Sequence, residues 1–192
     1  MKRTLTTLLV LTATAGSASA HPGDHAAGLV HGFMHPIGGV DHVLAMVAVG
    51  LFATVLGGRA LWLVPGSFVA AMLAGGALGM GGMELPFVEA GIALSVVVLG
   101  ALVALRWKAP LAAAMALTAV FAVFHGFAHG VEMPADASGA SYAAGFLVAT
   151  ALLHVAGVAL GLGLARIIDS RVLRTGGAVI AAAGLGLLAG WL

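Results

Sequence analysis

Cysteine is absent from the sequence, which removes disulfides, thiolate metal sites and cysteine nucleophiles together. Any bound metal must therefore be held by nitrogen, oxygen or thioether. Charge is scarce as well: 8% of the 192 residues are charged and 61% are hydrophobic, against roughly a quarter charged in an ordinary soluble domain. With a formal net charge of +1 and the charges scattered, nothing points to nucleic acid or to an acidic partner. No Gly-x-x-x-x-Gly-Lys-Ser/Thr phosphate loop occurs, so direct ATP drive is excluded for this chain alone. Extended polar stretches are missing too. At about 20 apolar residues per crossing, a chain of this length has room for about six spans and almost no extramembrane domain.

What is present begins with an export pattern. Met1-Lys2-Arg3 precedes an apolar run from Leu5 to Ala15, and Gly16-Ser17-Ala18-Ser19-Ala20 closes it. A basic start, a short apolar core and an Ala-x-Ala ending are the parts of a cleavable signal peptide. Residues 1–20 are read as that leader, and His21-Pro22-Gly23-Asp24-His25 is too polar to embed cheaply. The mature chain, 21–192, is then expected to be a single all-α domain, a polytopic bundle of six transmembrane helices whose N-terminus lies outside.

Apolar windows separated by charged, Gly or Pro punctuation place the spans at about 38–57, 61–80, 85–105, 110–132, 141–165 and 174–192. With the mature N-terminus outside, Arg59, Arg106, Lys108, Arg166, Arg171 and Arg174 all fall on the inner side. Every Lys and Arg of the mature chain thus obeys the positive-inside rule. The outer loops carry Asp24, Glu84 and Asp136, and Glu89 opens the third span on that side. The eight histidines also segregate outward, with only His154 lying deeper. Glycine is abundant, at 29 residues, and small residues three and four apart let membrane helices approach closely.

Two constellations carry the chemistry. In the first, His31-Gly32-Phe33-Met34-His35-Pro36-Ile37-Gly38-Gly39-Val40-Asp41-His42, a helical turn would present His31 and His35 on one face. Pro36, Gly38 and Gly39 oppose one continuous helix, so a bent or re-entrant approach is expected, with Asp41 serving as ligand or as outer support for a neighbouring ligand. His42 and Met46 are again a turn apart. In the second, Phe124-His125-Gly126-Phe127-Ala128-His129-Gly130-Val131-Glu132, the residues His125, His129 and Glu132 share a helical stripe of roughly 60°. Zincins set a glutamate between their two histidines; here Gly126-Phe127-Ala128 stands there, and the likeness to a metalloprotease is poor. Ionisable groups within spans cost about 2.5–3.5 kcal/mol each even on lenient insertion scales, which marks them as functional. Imidazole with carboxylate suits Ni, Zn, Co or Cu(II), and affinity falls in acid because protonated imidazole cannot ligate.

The stretch from His35 through Asp41-His42 to Met46, with Val49-Gly50-Leu51, resembles the signature of the HupE/UreJ family of nickel/cobalt permeases. The block from Phe124 to Pro134 is similar to that family's second conserved block. The resemblance covers the whole chain and implies uptake of Ni²⁺, sometimes Co²⁺, across the bacterial inner membrane, supplying enzymes such as hydrogenase or urease. Carried over, the metal-binding residues are His35, Asp41, His42, His125, His129 and Glu132. His21, His25, His31, Met46 and His154 form a secondary set. The metal is then cargo, no organic cofactor is expected, and the partners are the ion, the bilayer and, as an open question, further copies of the chain. Two other readings compete: an enzyme, an intramembrane zinc-dependent hydrolase with Asp41 or Glu132 activating water, and a b-type haem protein with His42, His125 or His154 as axial ligands.

Overall fold

In the computed structural model, the described residues are 25–134, 137–167 and 170–191, and all of the regular structure among them is helical. Residues 1–20, read above as a leader, lie outside this set, as do His21, Asp24 and Asp136. In order, the elements are α1 (His25–Gly38), α2 (Val40–Leu56), α3 (Ala60–Met80), α4 (Val88–Leu105), α5 (Leu111–Val131), α6 (Gly139–Ile167) and α7 (Ser170–Leu188). Five of these, α3 to α7, are long and apolar enough to cross a bilayer, and α1 with α2 forms a sixth candidate span bent by 81°.

The break sits at Gly39, whose backbone is extended (φ −93°, ψ 119°). Pro36 remains inside α1. A bent approach is therefore present as the sequence predicts, but its corner lies three residues after the proline. The other spans start and stop within a few residues of expectation. The largest shifts are at the start of α4, where Pro86 and the left-handed Phe87 (φ 59°) delay the helix to Val88, and in α7, which runs Ser170–Leu188 rather than 174–192.

Large apolar side chains face both ways. Met46, Phe52, Phe68 and Phe146 are fully buried, while Trp62, Leu105, Val155 and Trp191 are more than half exposed. Soluble monomers rarely leave apolar surface uncovered on this scale, whereas hydrocarbon covers it without cost. The chain is a multi-pass membrane protein.

Pairing of the helices follows the glycines. α3 packs along α5, α4 along α7, and α6 along both α1 and α2. At the α3–α5 contact, a Cβ on Gly126 would collide with the Met72 carbonyl and one on Gly130 with the Gly76 carbonyl. Backbone touches backbone there, the geometry that small residues permit in membrane helices. The basic residues gather at one end of the bundle, where Lys108 Nζ donates to the Val55 carbonyl and Arg174 Nε to that of Ala104 (3.1 Å). The histidine motifs occupy the other end.

Candidate metal site

The corner at Gly39 turns the chain so that Asp41 and His42 fall in the first turn of α2, against the wall of the bundle. Asp41 Oδ1 accepts the backbone N–H of His42 (2.7 Å) and lies 2.9 Å from its Nδ1. An ionised carboxylate only accepts, so Nδ1 carries the ring hydrogen and Nε2 keeps its lone pair. That nitrogen is buried and has no hydrogen-bond partner within the protein. A carboxylate holding one ring nitrogen while the other faces a metal is the usual support of a histidine ligand. Glycine is needed at the corner for room: a Cβ on Gly39 would stand 2.7 Å from Asp41 Oδ1.

His125 and His129 lie one turn apart on α5 and are fully buried. Gly126 and Gly130, roughly 100° further round, press that side of α5 onto α3, which leaves the histidine stripe facing α2 and α1. The ring centroid of His42 is 4.7 Å from that of His125 and 4.7 Å from that of His129. His129 also stacks flat on Phe146 of α6, at 5.0 Å and 9°. Neither of its nitrogens has a partner within the protein, and His125 Nδ1 has none either. His125 Nε2 is 2.8 Å from Ser95 Oγ of α4.

The mouth is built by α1 and the end of α5. His35 approaches His129 to 4.9 Å between centroids, and its Nε2 lies 2.7 Å from Glu132 Oε2. With side chains 34% and 50% exposed, this pair marks the transition from buried imidazoles to solvent. A cavity of about 510 Å³ opens between these elements, lined among others by His31, His35, Asp41, His42, Glu89 and Glu132.

Six sequence-predicted residues, His35, Asp41, His42, His125, His129 and Glu132, thus form one continuous cluster drawn from α1, α2 and α5. Among the described residues, no three His, Asp or Glu side chains converge on a single point in the geometry of a metal site. Several of the candidate ligands are held by hydrogen bonds within the protein: His35 with Glu132, Asp41 with His42, and His125 with Ser95. What stands ready is a set of unspent nitrogens on His42, His125 and His129. Each unpaired buried polar group costs about 1–3 kcal/mol, a cost that coordination would reverse.

The secondary set divides. His31 is exposed at the cavity wall. Met46, one turn beyond His42, is fully buried in the apolar core. His154 is 2% exposed with both nitrogens lacking a partner within the protein, and Phe68 stands between it and the cluster, its ring 5.1 Å from His154 and 5.7 Å from His125. His25 begins α1, with a side chain outside the described set, as is the whole of His21. Three contributors carry no role in the sequence reading. Glu89 was legible as an acid at the correct end of its span, although not as part of the cavity wall. Ser95 and Phe68 are single residues within apolar runs and send no periodic signal.

A family model described as HupE / UreJ protein matches residues 9–187. Protein HupE of Rhizobium leguminosarum bv. viciae is 46% identical over 190 residues, covering 97% of each chain. No solved structure matches.

Proposed function

The chain belongs to the HupE/UreJ family, and from that premise we propose that it is a permease for a divalent transition metal, with Ni²⁺ as the first candidate and Co²⁺ the second. It is not an enzyme in this reading, and the metal is cargo. It resides in the bacterial inner membrane with its histidine end toward the periplasm, acts by facilitated or ion-coupled movement, and supplies metalloenzymes such as hydrogenase or urease. One observation carries the proposal: three buried imidazoles, His42, His125 and His129, sit in ring contact with nitrogens that nothing in the protein uses.

The order of events follows burial. A hydrated ion meets His31, His35 and Glu132 at the half-exposed mouth. Binding at the mouth separates His35 from Glu132, and the ion then exchanges water for the nitrogens of His42, His125 and His129. Asp41 holds the His42 ring and supplies negative charge beside the dication. Imidazole and carboxylate donors fit nickel and cobalt, and divalent affinity at such sites rises along the series toward copper. Selection among metals therefore rests on geometry and availability as well as on donor type. Inward of the cluster, His154 beyond Phe68 is the next nitrogen donor on the way to the basic end.

Radioactive nickel uptake into liposomes holding the purified protein is the direct test, with cobalt, zinc and copper as competitors at fixed pH. Nickel accumulates with the wild-type chain and not with His129→Ala. Equal accumulation by both, or none by either, rejects the proposal.

A further inference from the structure

We propose that Ser95 is a positioning residue that holds His125 in its Nε2–H form and so makes Nδ1 the nitrogen that faces the metal. The inference rests on the reading of His125 as a ligand but concerns a residue on α4 that belongs to neither histidine motif. Ser95 and His125 are both fully buried. Ser95 Oγ lies 2.6 Å from the Ile92 carbonyl oxygen and 2.8 Å from His125 Nε2.

A serine hydroxyl has one hydrogen to donate. The Ile92 carbonyl can only accept, and two oxygens 2.6 Å apart require a hydrogen between them. The serine hydrogen therefore points at Ile92. Its oxygen is left to accept, so the 2.8 Å contact is satisfied only if Nε2 carries the hydrogen. Neutral imidazole has one N–H, which leaves the lone pair on Nδ1. This is the nitrogen that is buried without a partner, on a ring set at 89° to that of His42.

His42 is the mirror case. There Asp41 engages Nδ1 and leaves Nε2 unspent. Two neighbouring rings thus present opposite nitrogens, each fixed by a support outside the ring pair. If the serine hydroxyl is lost, His125 is free to interconvert between two tautomers, one of which turns an N–H toward the ion. Supports of this kind change metal affinity by about 10–100-fold.

The test uses the full chain in detergent micelles, labelled with ¹⁵N-histidine, comparing wild type, Ser95→Ala and Ser95→Thr, with His125→Gln to assign the resonance. Metal-free wild type shows His125 with a protonated Nε2, Ser95→Ala loses that single form, and Ser95→Thr restores it. Calorimetric titration with NiCl₂ gives affinity about 10–100-fold weaker for Ser95→Ala and close to wild type for Ser95→Thr. A protonated Nδ1 in wild type, or an unchanged tautomer and affinity in Ser95→Ala, overturns the proposal. Wild-type protein that shows the Nε2–H ring but binds no nickel would overturn the permease reading while supporting the role of Ser95 in holding the ring.

Discussion

At the scale of single residues, the cluster keeps buried nitrogens unpaired at a cost in folding stability. His129 is fully buried, stacked on Phe146, and both its nitrogens lack partners within the protein. Replacing a buried unpaired polar group by an apolar one of similar size is neutral or stabilising, and the range for the unpaired group is about 1–3 kcal/mol. We therefore expect His129→Leu to raise the melting temperature of the metal-free protein while removing nickel binding, read by thermal unfolding and nickel titration on the same preparation. A variant that melts lower would mean that the ring is structural. Asp41→Ala should act differently, weakening nickel about 10–100-fold through loss of the ring support while leaving the bundle intact. His125, His129 and Glu132 were legible in the sequence because helical period alone puts them on one stripe. The contact of Ser95 was not, since its partner ring lies 30 residues away on another span and nothing in an apolar run distinguishes a serine that also meets a ring on a neighbouring helix from one that bonds only its own.

At the scale of elements, the histidine stripe of α5 is aimed by the glycine stripe beside it. Gly126 and Gly130 allow α5 to lie directly on α3, and a side chain on Gly126 would meet the Met72 carbonyl. Gly126→Val should push the helices apart, shift His125 and His129 away from His42, and lower both thermal stability and nickel affinity. Gly66→Ala on α3 meets nothing within 4 Å and should leave both unchanged, which makes it the control for glycine replacement as such. Gly39→Ala separates the two effects. Its extended backbone accepts alanine, but the new Cβ crowds Asp41 Oδ1 at 2.7 Å, so nickel affinity should fall while the melting temperature holds. The span limits were readable from apolar windows to within a few residues. The corner was only half readable: Pro36, Gly38 and Gly39 announce a break, yet the proline fits inside α1 and the turn happens at the residue that needs the room.

At the scale of the whole molecule, function depends on which way the bundle faces. The basic residues gather at one end and the histidines at the other. If the Lys- and Arg-rich loops stay in the cytoplasm, as they do in most membrane proteins, the cavity mouth opens to the periplasm and the proposed permease carries its ion inward. The absence of cysteine from the sequence makes this orientation measurable without background. Met83, in the α3–α4 connection, and Trp107, in the α4–α5 connection, are both exposed, at 58% and 52%, and each can be replaced singly by cysteine. A membrane-impermeant maleimide should label Met83→Cys in intact cells whose outer envelope is open, and Trp107→Cys only once the inner membrane is broken. The reverse pattern would place Glu132, His35 and the cavity in the cytoplasm. The same ligands would then collect metal from the cell interior, and a path that admits nickel would have to be read as one that expels it.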